Sequence, residues 1–70
     1  MDLKEIMAVN LRRKRHDLEM TQEELAERAG LSARYVGAIE RGEKNLTIST
    51  LRILAKTFET TISNLFRGIA

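Results

Sequence analysis

The chain has 70 residues, with twelve Lys and Arg against ten Asp and Glu for a net charge of +2, and it contains neither cysteine nor proline. That length admits one small domain, residues 1–70, with a modest core, and the lack of cysteine excludes a disulfide framework or a thiolate metal site. The lone histidine, His16, excludes a multi-histidine metal cluster, and no apolar run approaches the roughly 18 residues of a membrane span. The opening MDLKEIMAVN contains acidic residues and lacks the apolar stretch of a secretory signal, so a soluble, cytoplasmic protein is expected.

Leu3, Ile6, Met7, Leu11 and Leu18 recur at helical spacing and predict a first helix from about Asp2 to Leu18. Thr21-Gln-Glu-Glu24 follows as a capping box, in which the side chains of Thr21 and Glu24 take each other's backbone N–H. Leu25, Ala26 and Ala29 then form the inner face of a short second helix, stopped at Gly30. Ser32 starts a third helix that ends near Arg41 with Gly42 as its stop, and Val36 and Ile39 are its inner pair. After a loop over residues 42–46, Thr47 caps a fourth helix carrying Ile48, Leu51, Leu54, Ala55 and Phe58. Thr61 begins a fifth with Ile62, Leu65, Phe66 and Ile69. The expected fold is an all-α bundle of five helices.

The twenty residues QEELAERAGLSARYVGAIER, from Gln22 to Arg41, hold the most informative spacing. Ala26 is small where two helices must cross closely, Gly30 makes the turn and Leu31 plugs the corner. Val36 and Ile39 pack back beneath, which is what a helix-turn-helix of helices two and three requires. Gly37 sits mid-helix at a cost of about 1 kcal/mol relative to alanine. With Ala33 and Ala38 it makes an outer face almost without side chains.

These residues resemble the Cro/C1-type (XRE-like) helix-turn-helix family of bacterial and phage transcription regulators, whose domains are lambda-repressor-like. The resemblance runs from about Asn10 to Phe66 and is carried by Arg15, MTQEELAERAGLS, IERGEKN, the apolar helix around Leu51 and the final NLF. The string NLTI at Asn45–Ile48, and Tyr35-Val36 ahead of Ile39-Glu40-Arg41, are similar to the controller proteins of restriction–modification systems.

The resemblance implies double-stranded DNA as partner, with helix three in the major groove. Base reading then falls to Ala33, Arg34, Tyr35, Gly37 and Ala38. Arg34 is the one long polar reader, able to bond guanine O6 and N7 together. Ala33 and Ala38 are suited only to thymine methyl groups, and Tyr35 to a phosphate or a sugar. Many controller-like relatives carry the arginine one position earlier, where this chain has Ala33, so their target sequence does not transfer. Phosphate contacts are expected from Gln22 and Ser32 at helix N-termini, and from Arg12, Arg41, Lys44 and Asn45. The bare face at Gly37 is expected to let the helix approach DNA closely, with part of the specificity coming from DNA shape.

Other polar residues receive plainer readings. Arg12-Arg-Lys-Arg15 point in four directions on a helix, so at most about two share one edge. By resemblance Arg15 is expected to form a partly buried structural ion pair with Glu40. His16 reads as a surface residue, and Glu23 and Glu24 as capping and dipole partners rather than catalytic carboxylates. No nucleophile stands with a base, so no enzyme, metal or cofactor is implied. Ile62, Phe66 and Ile69 exceed what one short helix buries and suggest a homodimer interface, which would place two recognition helices about 34–36 Å apart. Within the DNA-binding class, a restriction–modification controller and an antitoxin-like autoregulator are both open, with RNA polymerase or another protein as a further partner. Outside it, a helical protein-binding adaptor is the alternative.

Overall fold

The computed structural model describes residues 2–67. Five helices follow in order: α1 Leu3–Asp17, α2 Gln22–Ala29, α3 Ala33–Glu40, α4 Ile48–Thr57 and α5 Ile62–Leu65. Each starts from an extended residue whose side chain accepts the N–H three positions on: Asp2, Thr21, Ser32, Thr47 and Thr61. Thr21 and Glu24 complete a capping box, and Asp2 with Glu5 forms a second one from the same D-x-x-E spacing.

The first four helices also end alike. Just past each lies a residue in left-handed backbone: Glu19 (φ +55°), Gly30 (+70°), Gly42 (+74°) and Glu59 (+54°). The following N–H returns to a carbonyl five residues back, as in Met20 to Arg15, Leu31 to Ala26, Glu43 to Ala38 and Thr60 to Ala55. Glycine makes this turn without strain at two sites. The glutamates make it at about 1–2 kcal/mol, because Cβ crowds the carbonyl oxygen.

Leu11, Leu25, Val36, Ile39 and Leu54 are fully enclosed, so α1 to α4 all contribute to one core. Met7, Met20, Leu51, Phe58 and Leu65 surround them, and Leu31 and Leu46 pack against its edge. Each enclosed aliphatic side chain contributes roughly 1.5–3 kcal/mol relative to exposure. α5 is fastened to α1 by Asn10, whose Nδ2 donates to the Leu65 carbonyl at 2.7 Å.

Three apolar positions depart from the periodic reading. Leu3 is 68% exposed, Leu18 50% and Ile48 61%. Leu3 and Ile48 are the first residues of α1 and α4 and overhang the core. Leu18 lies past the end of α1, where the turn at Glu19 breaks the helical phase. The inner stripe of α1 is instead Met7, Leu11 and Arg15, an arginine in an apolar register.

Arg15 and Glu40 are only 9% and 4% exposed. Arg15 Nε donates to Glu40 Oε2 at 2.6 Å and Nη2 to Oε1 at 2.9 Å, while Nη1 donates to the Met20 carbonyl at 2.8 Å. Gln22 Nε2 adds a bond to Glu40 Oε1 at 3.1 Å. Four residues thus tie together α1, the turn before α2, the first residue of α2 and the end of α3. Among the described residues no buried side-chain polar atom lacks a partner. Burial pushes the Glu40 carboxyl up, but hydrogen bonds from Arg15 and Gln22 and the charges of Arg15 and Arg12 outweigh it, holding the group below the usual carboxylate range.

Replacing the strained glutamate in Glu19→Gly or Glu59→Gly is expected to stabilise the fold by about 0.5–1 kcal/mol, read as a higher urea midpoint. A midpoint that stays or falls would contradict the strain. Glu40→Ala leaves Arg15 buried without its counterion and is expected to cost about 3–5 kcal/mol in the same measurement. Because the Glu40 pKa is lower folded than unfolded, its contribution is full above the usual glutamate value of about 4.3 and is lost as pH falls through its folded value. Glu40→Gln should make the acid-side fall in stability shallower; an unchanged slope would remove the linkage.

Candidate nucleic-acid interface

α2 and α3 are joined by three residues, Gly30-Leu31-Ser32. Leu31 is half-buried against the core, and Ala26, at 3% exposure, allows the two helices their close crossing. The first turn of each helix points backbone N–H groups outward with partial positive charge. Glu23 and Glu24 offset that field on α2, whereas the first turn of α3 has no acidic residue and carries Arg34. The start of α3 is therefore the more electropositive of the two.

Ser32 caps α3 by accepting the Tyr35 N–H at 3.0 Å, which leaves its hydroxyl able to donate outward. Arg34 is exposed and belongs to neither ion pair found among the described residues. Tyr35 and Ala33 are half-buried, packed against the core edge. An open groove brings Ser32, Arg34, Tyr35 and Ala38 together with Arg41, Glu43 and Lys44. Candidate base readers and candidate phosphate ligands thus line one surface. Asn45 is exposed and borders, with Lys44, a separate depression that also touches Leu3, Met7 and Phe66. Arg12 is exposed on α1, near enough for its charge to act on Glu40.

Gly37 and Ala38 do not form the open outer face expected of them. Both are buried. A Cβ on Gly37 would lie 3.2 Å from Arg41 Nη1 and 3.5 Å from Gln22 Oε1. The slot above Gly37 is already filled by two polar side chains of this same chain. A methyl there would meet Gln22 in ordinary contact and would need only the flexible end of Arg41 to give by a few tenths of an ångström. The two side chains nonetheless cover α3 at Gly37, which corrects the expectation of a bare helix face. Ala38 lines the groove but is only 6% exposed, and its carbonyl takes the N–H of Glu43 where the chain folds back.

Glu43 escaped the sequence reading. Arg41 Nε and Nη2 donate to its two oxygens at 2.9 and 3.2 Å. The signal was an acid two residues after an arginine, across a glycine able to reverse the chain. Of the apolar group at the C-terminal end, Leu65 is buried and Ile62 and Phe66 are half-buried, while Ile69 lies outside the described residues. Among the described residues no helix is long and apolar enough to cross a membrane.

Comparison with known proteins agrees with this architecture. The model of a family described as helix-turn-helix matches residues 11–65. The chain is 49% identical over 65 residues to the control protein C.SmaI of Serratia marcescens, covering 93% of this chain and 77% of that protein. It superposes with a TM-score of 0.85 and 32% identity on the restriction-modification controller protein C.AhdI of Aeromonas hydrophila, covering 90% of this chain and 96% of that one. A hypothetical transcription factor from Neisseria, NHTF, superposes with a TM-score of 0.90 and 32% identity, covering 97% and 78% of the two chains. With the family match spanning α2, the turn and α3, the chain belongs to the Cro/C1-type (XRE-like) helix-turn-helix family and is a DNA-binding transcription regulator.

Proposed function

We propose that this chain binds its operator as a homodimer, with α3 in the major groove, and serves as a controller of a restriction–modification system. The observation that carries the DNA-binding geometry is the exposed Arg34 at the acid-free start of α3, sharing one groove with Ser32, Tyr35, Arg41 and Lys44. With its side chains an α-helix is about 10–12 Å across, which fits a major groove about 12 Å wide. The controller role is supported by the 49% identity to C.SmaI, itself named a control protein.

In this arrangement Ser32, Gln22, Arg12, Arg41, Lys44 and Asn45 hold phosphates and set the register, and base edges are read from α3. Arg34 is the principal reader, bonding guanine O6 and N7 together. Tyr35 takes a sugar or phosphate, and Ala33 a thymine methyl. The burial of Gly37 and Ala38 narrows direct readout further, so the sequence dependence of DNA shape and bending supplies the remainder. Ile62 and Phe66, with Ile69, supply the dimer contact, and a two-fold pair then presents two α3 helices one DNA turn apart.

Binding to duplex DNA is expected to weaken steeply with salt, by a log–log slope of about −0.9 for each phosphate contact. Selection from random duplexes should return inverted half-sites with centres about 10–10.5 base pairs apart. Arg34→Ala should erase a guanine preference at one position of each half-site, a discrimination of about 1–3 kcal/mol. Affinity indifferent to salt would favour a protein-binding adaptor, and a uniform loss in Arg34→Ala would reassign Arg34 to the phosphates. Gly37→Ala is expected to raise thermal stability by up to about 1 kcal/mol through helix propensity. The methyl makes the flexible end of Arg41 give by a few tenths of an ångström, so duplex affinity should fall slightly at the same time. Unchanged affinity would leave Gly37 without a part in DNA binding.

A further inference from the structure

We propose that Glu43 suppresses non-specific DNA binding by occupying Arg41 with a carboxylate where a DNA phosphate would otherwise sit, an inference that rests on the DNA-binding reading of α3 and its flanks. Arg41 Nε and Nη2 meet the two Glu43 oxygens at 2.9 and 3.2 Å. This is the two-pronged geometry by which a guanidinium also takes a phosphate. The backbone builds it. Gly42, at φ +74°, reverses the chain, and the Glu43 N–H bonds the Ala38 carbonyl at 3.1 Å, so Glu43 is held beside Arg41 rather than beyond it.

The remaining nitrogen, Nη1, lies over Gly37, 3.2 Å from where a Cβ there would stand. The guanidinium is thereby held by Glu43 on one side while its free end stays close to Gly37 of α3. The two side chains are 60% and 54% exposed, so a phosphate can replace the carboxylate without opening the core. Hydrogen bonding from Arg41, with the charges of Arg41 and Lys44, holds the Glu43 carboxyl below its usual range, and it is ionised at neutral pH.

The exchange is favourable only where a phosphate reaches bonding distance, which a fully seated α3 provides. On other sequences Arg41 stays with Glu43, and the glutamate turns a negative charge toward the DNA backbone. Arg41 then adds its phosphate contact to the specific complex alone, which widens the ratio of specific to non-specific affinity.

Glu43→Gln keeps the shape and removes the charge. Binding is measured for the full chain over a salt series, on a selected operator duplex and on a random duplex. The expected result on random DNA is affinity about two- to fivefold higher and a log–log salt slope steeper by about one. A smaller change is expected on the operator. In an Arg41→Gln background, Glu43→Gln should have almost no effect. Unchanged random-DNA binding, an equal gain on both duplexes, or an equal gain without Arg41 would each overturn the proposal. A parent protein that binds neither duplex would remove the DNA-binding reading itself, a result distinct from those three.

Discussion

The carboxylate of Glu40 is the constraint around which this bundle is arranged. At 4% exposure it has lost nearly all its hydration, and a charge so placed must find compensation inside the protein. Arg15 supplies it with two hydrogen bonds and spends its third nitrogen on the Met20 carbonyl. The aliphatic core around Leu11, Leu25 and Leu54 provides most of the driving force, but it is non-directional. A buried pair adds little net stability over well-packed apolar residues. Its effect here is on geometry, since any rearrangement of α1 against α3 that separates Arg15 from Glu40 leaves a charge without a partner.

From Glu40 the polar organisation runs outward to the surface. Gln22, the first residue of α2, donates to Glu40, and its amide also borders Gly37, as does the end of Arg41. Arg41 in turn reaches Glu43 across the reversal at Gly42. The sparse middle of α3 is where two neighbouring polar groups lie down, and Arg34, one turn earlier, is left to project on its own.

Helix limits were legible because they rest on local chemistry. A hydroxyl or carboxylate three residues ahead of an amide caps a start whatever surrounds it, and Gly30 and Gly42 enter left-handed backbone without strain. The turns at Glu19 and Glu59 were not legible, because glutamate carries no such preference and is held there by hydrogen bonds to the preceding helix. Periodicity named the inward face of each helix but not how far its neighbour extends, hence the exposure of Leu3, Leu18 and Ile48.

Short-range spacing by itself determined five helices, the caps at Thr21, Ser32 and Thr47, the stops at Gly30 and Gly42 and the tight α2–α3 turn, since those depend on interactions within a few residues. The resemblance carried by Arg15 and the IERGEKN stretch added the pairing of Arg15 with Glu40, which spans 25 positions of sequence. Tertiary structure alone decided what lies over Gly37, whereas the Arg41–Glu43 pair spans only two positions across the reversal at Gly42. The cover over Gly37 depends on Gln22 of α2 reaching α3, a convergence of separate elements in space that no spacing within a few residues encodes.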